Sequence, residues 1–207
     1  MEYTPKYELV DLPLGRSTTR AALYYLHKSM GTDITKAGPL YVPQAARNGV
    51  LAKLQGGDAG EAKQRWAEAL FDEYIQRADE FATNLIETTP TSEVTAFVCV
   101  PTTRPTFMAP YHSAATRLCN GAIDLTPHLT PLAGWSSRSV IPLDQKVAQL
   151  DFHPPENINP GQNVLVVDDV INSGSSVAAV IQRIANYYSE KPLVFTVACA
   201  LWIDPGS

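Results

Sequence analysis

The stretch Val164–Ala185, "VLVVDDVINSGSSVAAVIQRIA", sets a continuous apolar run directly before two adjacent carboxylates, a small-polar loop and a periodic apolar segment. Val164, Leu165, Val166 and Val167 lie between Asn163 and Asp168, the pattern of a strand covered on both faces in a parallel sheet. From Ser176 onward, Val177, Val180, Ile181 and Ile184 recur at three- and four-residue intervals. That spacing predicts an amphipathic helix opening near Ser175 or Ser176, with a serine as N-cap. Between strand and helix, Gly174 permits a tight turn and leaves backbone N–H groups at the positive end of a helix dipole. The three parts together make a cradle for a phosphate.

Asp168 and Asp169 fall at the carboxyl end of the predicted strand, the edge at which open α/β sheets place their ligands. Adjacent carboxylates repel, so both stay ionised at least cost when a cation or hydroxyl groups sit between them. A sugar diol or a hydrated Mg²⁺ suits such a pair, because magnesium takes one or two carboxylates and completes its shell with water and substrate oxygens.

The run "VLVV", "DD", "VI", "NSGSS" resembles the phosphoribosyl-diphosphate (PRPP) motif of type I phosphoribosyltransferases. The resemblance implies an α/β fold: a parallel-sheet core with helices on both faces, preceded here by a mainly helical N-terminal region. It implies that Asp168 and Asp169 contact the ribose hydroxyls and hold Mg²⁺, directly or through water. It implies also that Asn172, Ser173, Gly174, Ser175 and Ser176 bind the 5′-phosphate through backbone N–H groups and serine hydroxyls. One departure bears on the acceptor. In the 6-oxopurine salvage members the first loop position is an aspartate serving as general base, whereas Asn172 cannot take up a proton at neutral pH, which disfavours hypoxanthine or guanine.

Upstream, "VTAFVCV" at Val94–Val100 is rich in β-branched and aromatic residues and predicts a second buried strand. A loop over Pro101–Thr106 and a helix from about Ala109 to Cys119 should follow. The resemblance places the pyrophosphate at that loop, near Thr102, Thr103 and Arg104, and counts Arg104 with the two aspartates among the catalytic groups. A planar guanidinium fits, since it donates two parallel hydrogen bonds to phosphate oxygens. The proline- and glycine-rich interval from residue 126 to 162 has room for short strands, and in the family this interval carries a loop that closes over pyrophosphate. Arg138 and Lys146 are its candidate cations, although a solvated surface position is the simpler expectation for Lys146. The tail "PLVFTVACALW" reads as a further buried strand.

Toward the amino end, "STTRAALYYLHKSMG" places Ala22, Leu23 and Leu26 on one helical face before Gly31, which predicts a short helix. Trp66, Leu70, Tyr74, Ala78, Phe81 and Leu85 recur at helical spacing, so a long amphipathic helix is expected from about Asp58 to Ile86, its aromatic stripe serving packing. The break "ETTPTSE" at Glu87–Glu93 divides a front, residues 1–90, from a transferase-like core, residues 91–207.

Composition sets outer limits. The chain has 207 residues, 45% hydrophobic and 18% charged, with a net charge of −5, which supplies no basic field for nucleic acid. Cys99, Cys119 and Cys199 have no CxxC pair or metal-ligand spacing, so reduced thiols are expected. No signal-like start and no apolar run of eighteen residues is present in the sequence, from which a cytoplasmic protein is expected. A homodimer stays open. Two functions remain: Mg²⁺-dependent transfer of a phosphoribosyl group from PRPP to a nitrogenous acceptor with loss of pyrophosphate, or non-catalytic sensing of PRPP or a nucleotide. A PRPP-synthetase-like reading is weaker, because the chain shows no internal repeat.

Overall fold

The computed structural model describes residues 6–14, 17–47, 61–136, 141–154, 163–189 and 193–204. Its organising element is a strand over Asn163–Ile171, buried at every position after Asn163. The described elements, in chain order, are β1 (Lys6–Leu14), β2 (Ser17–Met30), α1 (Val42–Arg47), α2 (Glu61–Glu87), β3 (Ala96–Cys99), α3 (Pro105–Leu118) and β4 (Ile123–Asp124). They continue with β5 (Leu129–Pro131), α4 (Leu143–Val147), β6 (Leu150–Phe152), β7 (Asn163–Ile171), α5 (Ser175–Tyr187) and β8 (Val194–Asp204). A 3-10 segment over Gly31–Tyr41, broken at Gly38 (φ 58°), joins β2 to α1.

Six strands form one sheet in the order β1-β2-β8-β7-β3-β4. All neighbours are parallel except the β1–β2 edge pair, so the sheet is mixed and mostly parallel. Valine-rich strands can run apolar on both faces only where helices cover both, and they do here. Against one face pack Tyr74, Phe81 and Leu85 of α2 with Phe107, Tyr111 and Ala115 of α3, meeting Leu165, Val167 and Ala198. Against the other pack Val177, Val180, Ile181 and Ile184 of α5, meeting Val164, Val166 and Val197.

The segment expected to be a helix over Ser17–Gly31 is instead the strand β2, paired in parallel with β8 from Ala22↔Thr196 to Met30↔Asp204. Ala21, Leu23 and Tyr25 join the α5-side core while Leu26 joins the other. The open flank of β8 therefore claims this threonine- and tyrosine-rich segment, and cross-strand packing overrides a short helical spacing. The long helix is present as α2, but of its expected stripe only Tyr74, Ala78, Phe81 and Leu85 are buried, while Trp66 is exposed. At its end Thr88 Oγ1 donates to Leu85 O at 2.8 Å and Thr89 Oγ1 to Ile86 O at 2.6 Å, so "ETTP" is a helix stop. Strands from either side of that break share the one sheet.

The helix expected from Ala109 begins four residues earlier, at Pro105, and shortens the predicted loop; a proline at the first helical position gives up only an N–H that has no partner there. The interval before β7 holds the antiparallel ribbon β5–β6, in register from Leu129↔Phe152 to Pro131↔Leu150.

Central burial makes a stability prediction. Leu165 is fully buried in β7, whereas Ile75 on α2 is 57% exposed. Leu165→Ala should lower unfolding free energy by about 2–5 kcal/mol and Ile75→Ala by less than about 0.5 kcal/mol, as read from urea denaturation. Similar costs for the two would contradict this assignment of the core.

Candidate active site

β3 and β7 are adjacent and parallel, with Cys99 opposite Val167, and Val100 N donates to Val167 O at 2.9 Å just beyond β3. The loops leaving both strands therefore open on the same edge of the sheet. Beyond β7, Asn172 and Ser173 are exposed and Ser176 is buried. Gly174 takes a left-handed φ of 72° and is itself the N-cap of α5, in place of the expected serine. A glycine N-cap offers no side-chain cap of its own; Ser173 Oγ accepts from the first-turn N–H of Ser175 at 3.5 Å and donates to Ser175 Oγ at 3.1 Å, and Ser175 Oγ also accepts from Lys146 Nζ at 2.9 Å.

Asp168 and Asp169 are both buried. Successive strand residues project to opposite faces, and the electrostatic neighbours agree. Asp168 acts on Lys146, partly offsetting the fall in that ammonium's pKa. Asp169 acts on Tyr111, adding to the burial that holds its hydroxyl well above the ordinary value. Each carboxylate is anchored locally, Asp168 Oδ1 accepting from Asp169 N at 2.9 Å and Asp169 Oδ1 from Val170 N at 2.8 Å.

In the loop after β3, Arg104 is exposed at the N-cap position of α3, where its N–H donates to Thr102 Oγ1 at 3.1 Å. Thr103 is exposed and Thr102 half-buried. A cleft of about 350 Å³ lies behind this loop, lined by Thr102, Met108, His112, Thr126 and Leu129 among others. His112 Nε2 lies 2.7 Å from Asp124 Oδ2, Thr126 N donates to Asp124 Oδ1 at 2.9 Å, and Thr126 Oγ1 accepts from Cys99 N at 3.0 Å. This chain of contacts ties the β4 end to the β3 end.

Two residues of the interval between β5 and β7 reach the two loops. Trp135 Nε1 donates to Pro101 O at 3.0 Å. Lys146, expected at the surface, is instead fully buried, its ammonium on Ser175 and 5.7 Å from the Trp135 ring. The hydrophobic ribbon and α5 draw α4 inward, so the stem of Lys146 is desolvated while its head finds polar partners. Arg138 lies outside the described residues. Trp135 and the His112–Asp124 pair escaped sequence reading, although "DLTPH" carries a signal in retrospect: an aspartate two residues before a threonine favours a local turn.

A family model described as phosphoribosyl transferase domain matches residues 67–207. The chain belongs to the phosphoribosyl transferase family. Among solved structures, Helicobacter pylori xanthine-guanine-hypoxanthine phosphoribosyltransferase is similar at 14% sequence identity and a TM-score of 0.36, over 66% of this chain and 85% of that one. A comparison with curated proteins finds no match.

For a member of the phosphoribosyl transferase family, the donor set decides how a metal would be held. Among the described residues no group of three or more His, Cys, Asp or Glu is placed to hold an ion, so an all-protein cage is not built there. With Asp168 and Asp169 on opposite faces of β7, one of them would be a direct ligand of a magnesium ion, which keeps several waters and takes substrate oxygens. Cys99, Cys119 and Cys199 are buried and free; burial pushes Cys99 up to about 12 and Cys119 up to about 11, and burial with the help of Asp168 holds Cys199 well above the ordinary thiol value.

At pH 8 a thiol with its pKa at about 12 is thiolate in only about one molecule in ten thousand. The folded protein should therefore leave a chromogenic disulfide reagent unreacted over minutes and titrate three thiols once denatured. Stoichiometric reaction of the folded protein would refute the burial of this edge.

Proposed function

We propose that this phosphoribosyltransferase moves the 5-phosphoribosyl group from PRPP to a nitrogenous acceptor, in a Mg²⁺-dependent reaction that releases pyrophosphate. The observation that carries the reading is Gly174 in the left-handed region between the acid-ended strand β7 and the first turn of α5. That conformation turns successive N–H groups toward one point, and the helix dipole favours an anion at the same place. In this reading Asn172, Ser173, Gly174, Ser175 and Ser176 bind the 5′-phosphate, and Asp168 and Asp169 orient the ribose. Thr102, Thr103 and Arg104 meet the pyrophosphate, with Arg138 as a further candidate cation.

The chemistry asks little covalent work of the protein. As the acceptor nitrogen attacks C1′ and pyrophosphate departs, positive charge grows on the ribose and negative charge on the leaving group. Bound magnesium would offset the diphosphate charge. The protein holds both ends of the sugar phosphate in line and aims preorganised donors at the oxygens that gain charge, which together supply most of such a rate enhancement. Asn172 accepts no proton, so an acceptor that must lose one delivers it elsewhere.

Gly174→Val tests the phosphate loop. A β-branched residue in the left-handed region costs on the order of 1–3 kcal/mol in strain, and the turn should open, removing binding of both PRPP and a ribonucleoside 5′-monophosphate in calorimetry. Unchanged affinity would refute the assignment. Pyrophosphate release with PRPP across a panel of bases and amines then tests transfer, and PRPP binding without release across the panel would favour the sensing role.

Arg104 separates the two ends of the substrate. Arg104→Ala should weaken PRPP by about 1.5–3 kcal/mol and leave the 5′-monophosphate unaffected, because only the former carries the diphosphate. Lysine there should restore part of the loss, having charge without the planar fork. Equal weakening of both ligands would place the pyrophosphate elsewhere.

A further inference from the structure

Lys146 occupies an unusual position for a lysine. It is fully buried, sits on the single-turn helix α4 (Leu143–Val147), and sends its ammonium to Ser175, the first residue of α5. A buried ammonium is costly unless charge and hydrogen bonds compensate it. Asp168 supplies charge from the neighbouring strand end, yet burial prevails and the ammonium titrates below its ordinary range. The ammonium stands at the place where the loop over 172–176 opens.

Ser175 is the link. A hydroxyl accepts two hydrogen bonds and donates one. Ser175 Oγ accepts from Lys146 Nζ at 2.9 Å and from Ser173 Oγ at 3.1 Å, so both acceptor positions are filled and its own O–H is left as a donor. Hydrogen bonds in series polarise one another, and one from a cation strengthens the next. The exposed loop carries no cationic side chain, since residues 172–176 read Asn-Ser-Gly-Ser-Ser.

Resting on the reading of 172–176 as the 5′-phosphate site, we propose that Lys146 is a positioning residue that lends its charge to a bound phosphomonoester dianion through the Ser175 hydroxyl, without touching the ligand. The lysine polarises Ser175, and Ser175 donates to the phosphate. The ligand class follows: a compact dianion at the loop, with no demand on what the sugar carries at C1′. Trp135, whose indole holds the other loop at Pro101, walls the lysine in at 5.7 Å and keeps its head directed at Ser175.

Calorimetry on the full chain, with ribose 5-phosphate and inorganic pyrophosphate as probes, decides the matter. Lys146→Met retains the packing of the stem and removes the charge. It should weaken ribose 5-phosphate ten- to a hundredfold and change pyrophosphate by less than twofold. Ser175→Ala should cost about as much, and the double variant no more than the larger single loss, because the two groups act in series. Lys146→Gln restores a neutral donor and should recover only part of the affinity. Losses that multiply in the double variant, equal loss for both probes, or full recovery with glutamine would overturn the inference. Should Lys146→Met not fold, the comparison of Lys146→Gln, Ser175→Ala and their double variant carries the same decision. Absence of ribose 5-phosphate binding by the unmodified chain would overturn the loop reading and this inference with it. Binding by the unmodified chain with independent losses would overturn this inference alone.

Discussion

Burial of β7 on both faces is the constraint from which the rest of the molecule follows. Because Val164 to Val167 have no solvent side, the strand must run at the centre of a sheet with a helix layer above and below. Its neighbours must be strands that tolerate the same burial, which Ala96–Cys99 and the stretch from Phe195 to Leu201 do. Two aspartates stand in the interior near the strand's carboxyl end, past the point where the pairing with β3 ends at Cys99↔Val167 while that with β8 runs on to Ile171, the edge at which open α/β sheets place their ligands. The apolar run and the acidic pair are one device: the first places the second.

The same edge collects two loops that lie far apart in sequence, one after β3 and one after β7, and the segment between β5 and β7 holds them from the side. Trp135 grips the first through a backbone carbonyl, and Lys146 grips the second through a serine hydroxyl. These are single hydrogen bonds, each modest in net worth. Their value lies in geometry, since they tie the relative placement of two loops to one packed insert.

Legibility varied with the range of the forces involved. β7, its loop and α5 could be read because a local pattern and a tertiary role coincide there: four apolar residues, two acids, a glycine and a periodic helix all point the same way. The strand "VTAFVCV" was legible for the same reason. β2 was not, because Ala22, Leu23 and Leu26 fit a helix locally and only the open flank of β8 makes a strand the better home for them. The serine N-cap failed because Gly174, in the left-handed region, takes that position and leaves Ser175 as the first residue of the helix. Lys146 itself was misplaced at the surface since nothing in "PLDQKVAQL" announces that Trp135 and α5 will enclose it.

The sheet order has a consequence for how the chain is made. β8, the last strand in sequence among those described, is inserted between β2 and β7. Until it emerges from the ribosome, the hairpin of β1 and β2 has no partner across β2, and one flank of the central strand stands open. An unpaired strand edge in a nascent chain is a template for wrong pairing, and the contact that closes it spans nearly the whole sequence, as Ala22 meets Thr196. A hairpin that forms early therefore keeps that edge uncovered through synthesis of everything between.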